Sequence, residues 1–113
     1  MTDASSSPDH VVVMTTVGSE EAARELSRAL VDEGLVACAQ RVPVESCYRW
    51  EGEVVDEREV LLLLKTPHAR AGELVEALAR RHPYEVPEVI ELPVTGGWPP
   101  YLRWMEEQTA SSA

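Results

Sequence analysis

An α+β sandwich is the fold class that this 113-residue sequence predicts: βαββαβ, with an antiparallel sheet, a long central hairpin and a short C-terminal helix. Three observations carry that reading. The apolar period switches repeatedly between two residues and about 3.6 along the chain. Two apolar runs, VVVMTT and VLLLLKT, are each followed by a helical pattern, so the halves echo one another. Between them lies a long extended stretch broken by a turn signal. A split βαβ repeat of this kind is the ferredoxin-like pattern, in which two helices cover one face of the sheet.

Each element has its own local reason. His10 to Val17 (HVVVMTTV) is β-branched and apolar, a buried strand. Gly18 breaks it, Ser19 is the N-cap, and Glu20 and Glu21 fill the first turn, where the helix dipole favours carboxylates. Ala22, Ala23, Leu26, Ala29 and Leu30 recur at helical spacing until Gly34 stops the helix. Leu35 to Trp50 reads as a second extended segment, bent or bulged at Pro43. Glu51-Gly52 supplies a turn and Val60 to Thr66 returns as the partner strand, which makes a long hairpin.

Pro67 opens the second helix, with Ala71, Leu74, Val75 and Leu78 on one face and Arg80, Arg81 and His82 in its last turn. Pro83 ends it. Glu88 to Val94 is the fourth strand, Gly96-Gly97 a break, and Pro100 to Gln108 the terminal helix. Residues 10–109 thus form one domain. The Ser/Ala/Asp-rich stretches 1–9 and 110–113 have nothing to bury and read as disordered tails.

Composition narrows the function classes. A net charge of −10, from 20 acids against 10 bases, repels phosphate backbones, so no nucleic-acid partner is expected. The N-terminus has no basic region leading into an apolar one, and the longest apolar run, Val60 to Leu64, is far too short to span a bilayer. No membrane partner and a cytoplasmic location follow as expectations. Cys38 and Cys47 are nine positions apart on one extended segment. At about 3.3 Å per residue they lie roughly 30 Å apart, whereas a disulfide needs Cα atoms within about 7 Å, so two reduced thiols are expected.

The strands also bear on assembly. Two helices cover one sheet face, so a strand on that sheet ordinarily alternates apolar and polar. Leu61, Leu62, Leu63 and Leu64 are apolar toward both faces, as are Val11, Val12, Val13 and Met14. The second face therefore needs a cover, either another copy of the chain or the hairpin folded back over its own sheet.

For catalysis the sequence is short of parts. It contains no G-x-S-x-G, P-loop, H-E-x-x-H or CxxC, and two of its three histidines, His10 and His68, stand at element starts where exposure is expected. No enzyme is predicted and no catalytic residue is assigned. Candidate ligand-binding residues fall in three places. In HPYEVPE, two prolines hold His82, Tyr84 and Glu85 at fixed angles, either as a small polar site or as a helix cap followed by a rigid connector. At the hairpin tip Tyr48 and Trp50 share a face, as a contact platform or as cross-strand packing. Lys65 closes a strand of leucines, to meet an anion or to snorkel to solvent. The acids Glu51, Glu53, Asp56, Glu57 and Glu59 read as a solvated hairpin face.

These segments, in this order, resemble a known family. ACAQRVPVESCYRWEGEV, EVLLLLKT, HPYEVPEVIELPV and YLRW are similar to the CutA family of divalent-cation tolerance proteins, over nearly all of Val11 to Glu106. The resemblance implies a cytoplasmic homotrimer of ferredoxin-like subunits whose hairpins embrace their neighbours, without catalytic activity, and associated with copper and other divalent metals. In a trimer of this kind the candidate ligand-binding residues Lys65, His82, Tyr84, Glu85, Trp50 and Tyr48 are expected to line a cleft between subunits, as in the PII-like alternative below. The resemblance also implies a copper site of one cysteine in the first strand and a His-His pair, positions held here by Thr15, Arg81 and His82. Only His82 is a metal ligand by chemistry, since a hydroxyl is poor and a guanidinium stays protonated. No cofactor is required on this reading, and divalent metal binding is weak.

Two further classes stay open. One is a small-molecule-binding regulatory trimer of PII-like architecture, which calls for a cleft that gathers Lys65, His82, Tyr84 and Glu85. The other is a structural adaptor that docks a partner through an exposed Trp50.

Overall fold

The computed structural model describes residues 9–110, so the stretches 1–8 and 111–113 of the expected tails lie outside the described residues. The elements are β1 (His10–Val17), α1 (Glu20–Asp32), β2 (Cys38–Trp50), β3 (Glu53–Pro67), α2 (His68–Arg81), β4 (Ile90–Val94) and α3 (Pro99–Gln108). Four strands form one antiparallel sheet in the order β2-β3-β1-β4. This is the α+β, βαββαβ arrangement expected, with the terminal helix added.

Alternation sorts the sheet into two faces. Val11, Val13 and Val17 of β1 and Val60, Leu62 and Leu64 of β3 face α1 and α2, whose Ala23, Leu26, Leu30, Ala71, Leu74 and Leu78 complete the core. The α1 N-cap works as expected, with the Ser19 hydroxyl accepting the Ala22 N–H at 3.1 Å. At the other end of the chain order, Arg80 and Arg81 stand in the last turn of α2, where cations oppose the helix dipole.

Four expectations are corrected. β2 begins at Cys38, not Leu35; the buried Leu35–Ala37 link is held instead by the Thr66 hydroxyl donating to Leu35 O at 2.7 Å. Pro43 makes no bulge: the β2–β3 register runs unbroken from Cys38↔Lys65 to Trp50↔Glu53. β2 is an edge strand, so proline's missing N–H costs no ladder bond there. β3 begins at Glu53, seven residues earlier than Val60, because strand pairing across the turn outweighs the low strand propensity of its acids. β4 is shortened to start at Ile90. At the hairpin tip Glu51 and Gly52 both have positive φ, 49° and 83°, the left-handed turn that matches the twist of paired strands.

The opposite sheet face is only partly covered. The hairpin does not fold over it but extends the sheet beyond the helices. α3 lies across part of it: Met105 is buried, and the Lys65 ammonium sits 5.9 Å from the centroid of the Tyr101 ring. His10, expected to be exposed, is 6% exposed, because Glu106 of α3 reaches its Nε2 at 2.7 Å. Leu61 and Leu63 are left half-buried, while Ile90 and Leu92 are 46% and 43% exposed.

Candidate functional site

The richest concave region lies where the outer half of the hairpin meets the α2–β4 connector. It is a pocket of about 560 Å³ lined by Tyr48 and Trp50 from β2, Glu57 and Glu59 from β3, and Tyr84, Glu85 and Glu88 from the connector. Thr16, Ser46, Cys47 and Val86 complete it.

Strand register explains the gathering. Ser46, Tyr48 and Trp50 pair with Glu57, Val55 and Glu53, and Val44 with Glu59, so these side chains stand on the face turned away from α1 and α2. The connector reaches them because α2 stops at Arg81. His82 then turns to extended backbone (φ −71°, ψ 135°), the geometry required of a residue before proline. From there the chain carries Tyr84 to the end of β1, where a side chain at Gly18 would meet the Tyr84 hydroxyl at 3.3 Å. Glycine thus leaves room for the phenol.

Two phenol–carboxylate pairs define the site. The Tyr84 hydroxyl donates to Glu59 Oε2 at 2.8 Å, and the Tyr48 hydroxyl donates to Glu57. The hydrogen bond to Glu57 is the main reason that Tyr48 is pushed up to about 12, with burial and the charges of Glu57 and Glu59 adding to it. Tyr84 is raised as well, first by burial and then by the bond and charge of Glu59. Glu59 itself is 8% exposed.

His82 stands behind this wall. Its ring centroid is 4.9 Å from that of Tyr84. Its Nε2 lies 2.7 Å from Thr16 O, and its Nδ1 accepts the Tyr84 N–H at 3.1 Å. A carbonyl only accepts, so the ring is the neutral tautomer with its proton on Nε2 and both nitrogens engaged. Thr15 is fully buried on the helix-facing side of β1 with its hydroxyl unpartnered, and Arg81 is ion-paired with Glu33. These three residues do not fit a copper centre. Among the described residues no group of three or more His, Cys, Asp or Glu side chains is placed to hold a metal ion.

Of the candidate cleft residues, Tyr48, Trp50, Tyr84 and Glu85 come together in one chain, His82 abuts them, and Lys65 stands apart against Tyr101 of α3. Sequence reading missed Glu57, Glu59 and Glu88. Glu57 and Glu59, placed with the solvated acids, belong to the pocket instead. The signal was present, since they continue the period-two series of Leu61 and Leu63 onto the same face. Cys38 and Cys47 are both free, at opposite ends of the same strand region.

Residues 11–108 match the family described as CutA1 divalent ion tolerance protein. The chain belongs to the CutA1 family. Among its CutA relatives, the divalent-cation tolerance protein CutA of Thermus thermophilus is 48% identical over 99 residues, 87% of this chain and 96% of that protein. A chloroplastic CutA protein of Arabidopsis thaliana is 42% identical over 110 residues, 96% of this chain but 60% of that longer protein. In three dimensions the solved CutA1 structure from Thermus thermophilus superposes with a TM-score of 0.85 at 47% identity, covering 89% of this chain and 99% of that one. No helix among the described residues is long and apolar enough to cross a membrane.

Proposed function

We propose that this CutA1-family chain is a non-enzymatic, cytoplasmic homotrimer that acts in divalent-cation tolerance and itself binds copper only weakly. The family match over residues 11–108 carries the tolerance reading. Self-association is supported by the half-covered sheet face, where the exposed Ile90 and Leu92 flank the half-buried Met14 and Val12 of β1, with Leu61 and Leu63 of β3 beyond them. Monomers rarely leave such a contiguous apolar face to water. Weak metal binding is supported by His82, whose two ring nitrogens would each have to give up a hydrogen bond to take an ion.

Native mass spectrometry with and without copper tests these together. Three subunits per particle and no copper surviving desalting are expected. A monomer would refute the trimer, and one retained copper per subunit would refute weak binding. A small-molecule-binding regulatory trimer is the second reading, supported by the pocket that joins Tyr48, Trp50, Tyr84 and Glu85.

A further inference from the structure

We propose that the pocket between the hairpin and the α2–β4 connector binds an organic cation, an ammonium or guanidinium group carried on an apolar body. This goes beyond the metal-tolerance reading and is tested separately from it.

Three independent features point to that class of ligand. The first is an uncompensated charge. Glu59 is 92% buried, and of its two oxygens only Oε2 has a partner, the Tyr84 hydroxyl. No lysine, arginine or histidine pairs with it among the described residues, and none lines the pocket. Glu59 Oε1 is not sealed from the pocket and has no partner among the described residues, so it is free to accept from a cationic donor, the strongest partner for a carboxylate.

The second is the sign of the surroundings. Glu57, Glu85 and Glu88 join Glu59 in the lining, which repels anions and concentrates cations. The third is the wall. Tyr48, Trp50 and Tyr84 line the same space, and Trp50 keeps 44% of its surface exposed. Aromatic faces beside carboxylates hold an organic cation twice over, through the ring quadrupole and through charge.

A bare metal ion fits this arrangement poorly. It demands several donors at about 2.0–2.6 Å, and the carboxylates here do not converge on one point. They are spread around a cavity of about 560 Å³, room for a body of many atoms.

The test uses the intact protein in whatever assembly it forms. Benzyltrimethylammonium is titrated by calorimetry against two probes of similar size, neutral benzyl alcohol and anionic benzoate. Saturable binding of the cation at least tenfold tighter than that of benzyl alcohol, with none for benzoate, is expected. Glu59→Gln keeps an acceptor for Tyr84 but removes the charge, and should weaken the cation at least tenfold while circular dichroism and sedimentation stay unchanged. Trp50→Leu should weaken it several-fold, and Glu25→Gln on α1, remote from the lining, should do nothing. Equal affinity for cation and alcohol, or undiminished binding in Glu59→Gln, overturns the proposal. So does magnesium or copper alone binding there in a Glu59-dependent way, which would make it a metal centre. Dissociation of the oligomer by Glu59→Gln overturns it too, since the counter-charge would then come from a second copy.

Discussion

Glu59 and Tyr84 stand 25 positions apart in the chain and 2.8 Å apart in the fold. Nothing local announces that contact. A run of acids beside a turn reads as a solvated face, because charge at a hairpin is usually hydrated, and only the register of β3 turns Glu57 and Glu59 toward the phenols. Tyr48, Trp50, Tyr84 and Glu85 were legible because aromatic and proline-framed residues are conspicuous wherever they fall. His10 was not, because Glu106, which reaches it, lies 96 positions away. Both phenols hold their protons more tightly in the folded protein than the ordinary tyrosine value of 10. Their contribution to stability is therefore complete below pH 10 and lost as pH rises through the raised values, near 12 for Tyr48. Ultraviolet titration of tyrosinate should show Tyr48 and Tyr84 protonated at pH 10.5 or so, with stability falling steadily above about pH 10. Glu59→Gln should lower Tyr84 only in part, since it removes the carboxylate charge while the larger effect of burial stays. A Tyr84 that ionises near 10 with Glu59 intact would remove the pair from the account.

At the scale of elements, β3 is the strand on which the fold turns. Its core half was easy to read, four leucines in a row being rare outside an interior. Its outer half was not, because acids have low strand propensity and the pairing that overrides it comes from β2. The same strand separates two kinds of stability. Leu62 and Leu64 are fully buried against the helices, and Leu61 and Leu63 are half-buried on the other face. Leu62→Asp with Leu64→Asp buries two unpaired charges at several kcal/mol each, comparable to the whole 5–15 kcal/mol stability of a small domain. That pair should abolish the cooperative unfolding transition seen by circular dichroism. Leu61→Asp with Leu63→Asp should leave secondary structure in place while sedimentation reports the loss of self-association. Should the second pair also sediment as the unaltered protein does, the open face would play no part in assembly.

For the molecule as a whole, the radius of gyration is 15.2 Å and the longest extent 45 Å, against about 13 Å expected for a compact chain of this length. The excess is the hairpin, which runs past both helices; beyond the Glu59–Tyr84 contact with the α2–β4 connector it has little but its own partner strand to hold it. Two strands alone are marginally stable in water. In a free subunit the amides beyond Val44 should therefore exchange with solvent by local fraying, long before the core opens. If neighbouring subunits clasp this arm, the same amides become as slow as the core, and their exchange rate falls as protein concentration rises. Deuterium uptake at the hairpin, followed over a dilution series, would then report assembly residue by residue. Uptake there that is fast and indifferent to concentration would mean that the arm is clasped by nothing.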